Sequence, residues 1–199
     1  MEGMLAFNRW KTDDITVEDA GLVDYISLQA RLVPRTGARY AGAKFHKSKT
    51  FIVERLMNKL MVVGHKGKKH NKTSGHITGK ASTVYRILEK TFAMIEGRTK
   101  KNPIEVLVKA IESAAPREEI VTIEYGGARY PKAVECAPQR RIDLVLRHFA
   151  QGSYQKSFNS KKPIEECLAE EIINAFNKNP NSNAISKKLE LERQADASR

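Results

Sequence analysis

Apolar residues recur along this chain at helical spacing in six places. After Thr50 they fall at Ile52, Val53, Leu56, Met57, Leu60 and Met61, a one-sided stripe closed by Gly64. A second stripe starts at Ala81 and holds Val84, Leu88, Phe92 and Ile95 up to Gly97. The third opens on Asn102-Pro103, where Asn caps, Pro sits at the first helical position and Glu105 complements the dipole. It carries Ile104, Leu107, Val108 and Ile111, and Pro116 ends it. Pro138 starts a fourth, with Ile142, Val145, Leu146 and Phe149 inward. Pro163 starts a fifth, with Leu168, Ile172 and Phe176 inward and Glu165 and Glu166 in its first turn. Asn181-Ser182-Asn183 caps a sixth, thin in apolar residues, with Ile185 and Leu189, that frays towards Arg199. Upstream, residues 1–15 read as irregular. Thr16 is predicted to cap a short helix to about Leu28, with Leu22, Tyr25 and Ile26 on one face.

One stretch switches from helical spacing to strict alternation. IVTIEY (120–125) and YPKAVE (130–135) flank Gly126-Gly127-Ala128-Arg129, which predicts a β-hairpin over about 118–136. Pro131 confines the return strand to an edge or a projecting ribbon. The pattern predicts a mainly α chain: a six-helix bundle with a projecting β-hairpin and a basic N-terminal extension. Residues 1–50 form the extension with its basic loop, and 51–199 the helical domain with the hairpin.

Charge changes this picture from a fold to a function. The net charge is +12, and residues 31–80 hold 13 Lys or Arg against one acid, Glu54. The other 149 residues carry 22 basic and 22 acidic side chains, so the whole excess lies in one quarter of the chain. So dense a one-signed stretch repels itself unless a polyanion neutralises it. Two loops hold most of it: RLVPRTGARYAGAKFHKSKT (31–50) and GHKGKKHNKTSGHITGK (64–80). In the first, Arg35, Arg39, Lys44, Lys47 and Lys49 surround Tyr40, Phe45 and His46, and in the second stand Lys66, Lys68, Lys69, Lys72 and Lys80. Cations with interleaved rings suit RNA, neutralising phosphates while the rings stack on splayed bases. A membrane surface is the weaker reading, because the cations sit in Gly-rich loops and not on an amphipathic helix. A second group, Arg117, Arg129, Lys132, Arg140 and Arg141, surrounds the hairpin. Arg140 and Arg141 stand at a helix N-terminus, where a cation opposes the dipole and an external anion would compensate; two ordinary surface arginines are the equal alternative.

Other chemistry finds little support. Gly75 to Ala81 mimics a phosphate loop, but only three residues separate Gly75 from Gly79 and Ala81 replaces the hydroxyl that would hold Mg²⁺. His65, His70 and His76 lack the Cys or carboxylate partners of a metal site. Cys136 and Cys167 have no partner at metal spacing and read as buried thiols of a reducing compartment. His148 reads as a satisfied, partly buried histidine beside an apolar face. No nucleophile motif occurs, no cofactor is expected, and no run of about 18 apolar residues exists to span a membrane. The first ten residues lack the pattern of a secretory signal. A free-standing regulator such as a translational repressor is the runner-up, and an enzyme a distant third.

Longer stretches carry a resemblance. IVERLMNKLMVVG (52–64), the Gly79-Lys80 pair before a helix and KNPIEVLVKAIESAAPREE (101–119) are similar to the universal small-subunit ribosomal protein seven family, in its archaeal and eukaryotic form. So are GGARYPKAVECAPQRRIDLVLRHF (126–149), KKPIEECLAEEIINAF (161–176) and the ending NSNAISKKLELERQADASR. RTGARYAGAKFHKS resembles the extension of archaeal and eukaryotic members, and the likeness runs in order over roughly residues 9–199.

The resemblance implies a cytoplasmic ribosomal protein that binds the 3′ major domain of small-subunit rRNA directly and nucleates assembly of the subunit head. It implies a place at the subunit interface near the decoding region, the messenger exit path and the exit-site tRNA. Other head proteins would be neighbours; independently of the resemblance, a monomer outside the ribosome is the default expectation. The RNA-facing residues it implies are 35–49, 64–80, Arg117, Arg140 and Arg141, with Gly126, Gly127, Arg129 and Lys132 of the hairpin tip towards tRNA and mRNA. Two departures stand out. Bacterial members carry arginines in the first hairpin strand, where this chain has IVTIEY with Glu124, and its 64–80 loop is longer.

Overall fold

A computed structural model describes residues 4–39, 41–63 and 79–199. Helices α1 (Ile52–Met61), α2 (Ala81–Thr99) and α3 (Pro103–Ala114) precede a hairpin of β1 (Glu118–Tyr125) and β2 (Ala128–Glu135). Helices α4 (Pro138–Ser157), α5 (Ile164–Phe176) and α6 (Asn183–Asp196) follow. The six predicted helices and the hairpin are therefore all present. Helix α5 is the central element, packed against α2, α3 and α4, and α6 lies against α4 and β1. That position explains its composition: Cys167, Leu168, Ala169, Ile172 and Ala175 are all fully buried. The stripes of α2 and α4 (Val84, Leu88, Phe92, Ile95; Ile142, Val145, Leu146, Phe149) are equally buried, each such side chain contributing about 2 kcal/mol.

The N-terminal segment joins this core. Ala6, Trp10, Ile15, Leu22 and Ile26 share one buried cluster with the helices, and Trp10 meets Phe92 edge to face at 5.8 Å. The helix expected over 16–28 is reduced to a 3₁₀ turn at Val23–Tyr25. Distant partners satisfy the backbone instead. The N–H groups of Glu18 and Asp19 donate to the Glu112 carboxylate, and Ser27 C=O accepts from Ile52 N–H at 3.0 Å. Helix α1 ends at Met61, and Gly64 lies outside the described residues. Helix α2 runs through Gly97 and stops at Lys100, which takes the left-handed conformation (φ 56°). Pro163 is the residue before α5 rather than its first. Of the two apolar residues read on α6, Ile185 is buried and Leu189 is 54 % exposed. The hairpin turn is shorter than expected. Tyr125 pairs with Ala128, so only Gly126 and Gly127 turn, with φ 58° and 81°, as a two-residue turn of that hand requires.

Helix α6 docks through a buried carboxylate. Glu171, fully buried on α5, accepts from Ser182 Oγ (2.9 Å) and from the backbone N–H groups of Asn183 and Ala184. Its second oxygen accepts from Lys156 Nζ at 2.7 Å. A carboxylate from another helix thus does the capping that Asn181-Ser182-Asn183 was expected to do. Gly152 of α4 leaves room for this arrangement: a Cβ there would stand 2.9 Å from Asn183 Cβ and 3.0 Å from Glu171 Cδ. Gly152→Ala is expected to destabilise the chain by about 1–3 kcal/mol through overpacking. A urea midpoint equal to or above that of the unsubstituted chain would contradict this packing.

Candidate nucleic-acid interface

The first basic segment is tied down at two points and otherwise left open. Thr36 donates to Glu54 Oε1 through its backbone N–H (2.8 Å) and its Oγ1 (2.7 Å). Glu54, the one acid of residues 31–80, is itself buried and anchors the loop to α1. At the other end, the 3₁₀ turn His46–Lys49 follows Phe45, whose φ of 55° turns the chain sharply. Lys47 Nζ meets Asp143 Oδ2 of α4 at 2.9 Å. The same Asp143 accepts from Arg55 Nη2 at 3.2 Å, while Arg55 Nη1 donates to the Tyr25 carbonyl at 2.9 Å. Along this segment Arg35, Arg39, Lys44 and Lys49 are exposed, as is Lys80 just before α2. None of these five forms an ion pair among the described residues. Phe45 is 63 % exposed beside them, edge-on to Tyr25 at 6.4 Å, and His46 is half-buried. Tyr40, Lys66, Lys68, Lys69 and Lys72 lie outside the described residues.

A cleft of about 570 Å³ opens between this loop, α1 and the start of α2. Its cations are crowded. Burial pushes the Lys59 ammonium below its usual range, and Arg147, Lys47 and Arg55 push the same way against Asp143. Asp143 stays below the ordinary carboxylate range although burial works to raise it, because Lys47 and Arg55 hold the charged form. Lys59 and Arg147 escaped the sequence reading. The available signal was spacing: Lys59 lies one turn after Arg55, and Arg147 one turn after Asp143.

The second basic group is largely consumed inside the fold. Arg141 is 8 % exposed; its Nε donates to Pro116 C=O (3.1 Å) and its Nη2 to Asp19 Oδ2 (2.8 Å). Arg140 Nη2 donates to Glu119 Oε2 at 2.7 Å. Internal carboxylates, not an external anion, therefore offset these two cations at the start of α4. Arg141 is a structural residue at the junction of α3, α4 and the N-terminal segment. Arg117 is exposed at the hairpin base.

Along the hairpin, Glu124 lies opposite Arg129 and pairs with it at 3.5 Å, both well exposed. Lys132 is exposed opposite Val121. One face of the ribbon carries Val121, Ile123 and Tyr125 with Tyr130 across from Ile123. Tyr125 at the tip is 81 % exposed and Tyr130 58 %. So the outward hairpin is aromatic and nearly neutral, whereas the loop before α1 is cationic.

Residues 23–199 match the family described as ribosomal protein S7p/S5e. The chain belongs to the S7p/S5e family. Small ribosomal subunit protein uS7 of Nanoarchaeum equitans is 55 % identical over 196 residues, 98 % of this chain and 99 % of that one. Its counterpart in Methanothermobacter thermautotrophicus is 46 % identical over 189 residues, 95 % of this chain and 96 % of that one. That of Archaeoglobus fulgidus is 43 % identical over 198 residues, 100 % of this chain and 96 % of that one. An S7p/S5e chain is a structural protein of the small ribosomal subunit and not an enzyme. The thiols of this S7p/S5e member suit that role. Cys136 and Cys167 are free and buried, and burial, with Glu119 beside it, pushes the Cys136 thiol up to about 11, far from a reactive thiolate. His148 differs from its expected state: its Nδ1 is buried with no hydrogen-bond partner among the described residues.

Proposed function

We propose that this chain is a primary rRNA-binding protein of the small subunit. It binds the 3′ major domain of the small-subunit rRNA and nucleates assembly of the subunit head. One observation carries the reading. The fold neutralises Lys47, Arg55, Arg129, Arg140 and Arg141 with its own carboxylates, and leaves Arg35, Arg39, Lys44, Lys49 and Lys80 exposed without such partners among the described residues. The sequence-level excess of charge thus survives folding as an open cationic surface, which phosphates satisfy. Exposed Leu32, Val33 and Phe45 add apolar contact within the same segment. The resemblance supports Tyr40, His46, Lys66, Lys68, Lys69, Lys72 and Arg117 as further contacts. The hairpin tip, with Gly126, Gly127, Arg129 and Lys132, reaches towards the exit-site tRNA and mRNA, near the decoding centre, in the cytoplasmic ribosome. Since Glu124 neutralises Arg129, that approach uses Tyr125 and ribbon shape more than charge. Other head proteins are its neighbours, and off the ribosome the chain is a monomer.

Replacing Arg39, Lys44 and Lys49 together by alanine tests the cationic surface. Each phosphate contact contributes roughly 0.7–0.9 to the slope of log affinity against log salt, so the slope is expected to become shallower by about 2. Far-ultraviolet circular dichroism stays unchanged, since none of the three lies in an α-helix. A slope equal to that of the unsubstituted chain would take these residues out of the interface.

A further inference from the structure

A two-stranded hairpin alone is marginal in water, and every residue from 121 to 132 is exposed, so this ribbon is held at its base. Successive strand residues point to opposite faces, so Glu118 and Glu119 leave β1 on opposite sides. Each meets an arginine from a different helix end. Arg140, at the start of α4, donates to Glu119 through Nε to Oε1 and through Nη2 to Oε2, the latter at 2.7 Å. Arg199, just beyond α6, donates through Nη2 to both oxygens of Glu118, at 2.6 Å to Oε2. Asp196, the last residue of α6, lies 3.6 Å from the same Nη2 and ties that guanidinium to the helix. The same two helices hold the backbone below the ribbon. Arg117 N–H donates to Glu192 Oε1 of α6 at 3.0 Å, and Pro116 C=O accepts from Arg141 Nε of α4 at 3.1 Å. Cys136 N–H closes the ladder onto Arg117 C=O at 2.8 Å. Isolated surface ion pairs contribute little, but here each carboxylate is engaged through both oxygens, and the Glu119 side chain is only 16 % exposed.

We infer that Arg140 and Arg199 are positioning residues that aim the hairpin by gripping its base from opposite faces. A grip on one face alone lets the ribbon lean towards that face; a second grip on the other face opposes the lean. The leverage is large. Eight residues of β1 span about 25 Å, so a tilt of about 10° at the base carries the tip through about 4 Å. That exceeds the tolerance of a hydrogen bond, so the direction of the ribbon decides what Tyr125 and the Gly126-Gly127 turn can touch. The inference goes beyond the rRNA reading and does not depend on it, since direction matters whatever the tip meets. It also couples the ribbon to α6, whose own dock on Glu171 then helps to set where the tip stands.

Residual dipolar couplings of the backbone amides, measured on the weakly aligned full chain without RNA, report the direction of β1 and β2 relative to the helices. In the unsubstituted chain one alignment frame is expected to fit the hairpin together with α2 and α5. Arg140→Ala and Arg199→Ala each release one face, so each tilts the ribbon towards the face still held, and the two tilts have opposite sense. A merely stabilising role would lower the urea midpoint without a directed tilt. Reversing one pair, Glu119→Arg with Arg140→Glu, is expected to restore the original direction and keeps the test open should a single variant fold poorly. Helical amide shifts check that each variant is folded. A direction unchanged in both folded single variants, or tilts of the same sense, would overturn the inference. So would a hairpin that does not share the frame of the helices in the unsubstituted chain. None of these outcomes bears on rRNA affinity, which stands or falls by its own measurement.

Discussion

Glu171→Ala is expected to lower stability by about 3 kcal/mol, more than any surface substitution in the chain. The carboxylate is fully buried, and four donors converge on it: Ser182 Oγ, the N–H groups of Asn183 and Ala184, and Lys156 Nζ. Alanine removes the acceptor and leaves the donors, so the first turn of α6 loses its cap and Lys156 its anion. Lys156 is 38 % exposed and regains part of its solvation, which keeps the loss at the lower end for a broken buried pair. Helix α6 packs on α4 and β1, so hydrogen exchange in α6 and along β1 is expected to rise before that in α2 and α5. A urea-derived loss under about 1 kcal/mol would show that α6 is held by its apolar contacts alone.

Stability is also expected to fall as pH drops from about 6.5 to about 4. Burial pushes the His148 imidazole down to about 4, Arg147 and Lys187 beside it push the same way, and Glu190 opposes them. The unfolded chain takes up this proton near the ordinary value of 6.5, while the folded chain resists until about 4. Across that window the unfolded state binds more protons, so each step down in pH favours unfolding, by about 3 kcal/mol in total. Above pH 6.5 the group is neutral in both states and contributes no slope. Asp143 and Asp19, both held below the ordinary carboxylate value, act at lower pH: their contribution is present above about 4 and is lost as pH falls through their folded values. Urea midpoints at several pH values between 7.5 and 4.5 separate the effects, because His148→Gln removes only the upper slope. A flat profile above pH 4.5 in the unsubstituted chain would contradict the burial of His148 as a neutral group.

What could be read from the sequence follows the range of the interaction concerned. Helices α2 to α5 are legible because their apolar residues repeat every three to four positions, and the starts of α3, α4 and α5 also carry a proline signal. Asn102 accepts from Ile104 N–H at 3.1 Å as its place before Pro103 predicts. Residues 16–28 misled because the groups that replace helical hydrogen bonds come from Glu112, 94 residues on from Glu18. Glu171 carries no local signal, since the donors that need it arrive only when α6 folds back. The same limit shaped the candidate interface. Counting charge along the chain located the cationic loop, yet could not tell Lys44, which stays open, from Lys47, whose anion Asp143 lies 96 residues away. Arg141 shows the same limit over a longer range: its partner Asp19 is 122 residues distant in sequence and 2.8 Å away in space. Local pattern finds where cations are dense; only the fold shows which of them remain unspent.

Direct binding of the 3′ major domain of small-subunit rRNA, proposed above for this S7p/S5e chain, is open to one decisive test. The measurement is the affinity of the full chain for a transcript of that domain against an unrelated structured RNA of equal length, at near-physiological salt. A large preference for the rRNA domain, in which charge supplies affinity and RNA shape supplies specificity, is the expected result. Equal affinity for both, falling alike with salt, would contradict it and reduce the cationic surface to a general RNA contact.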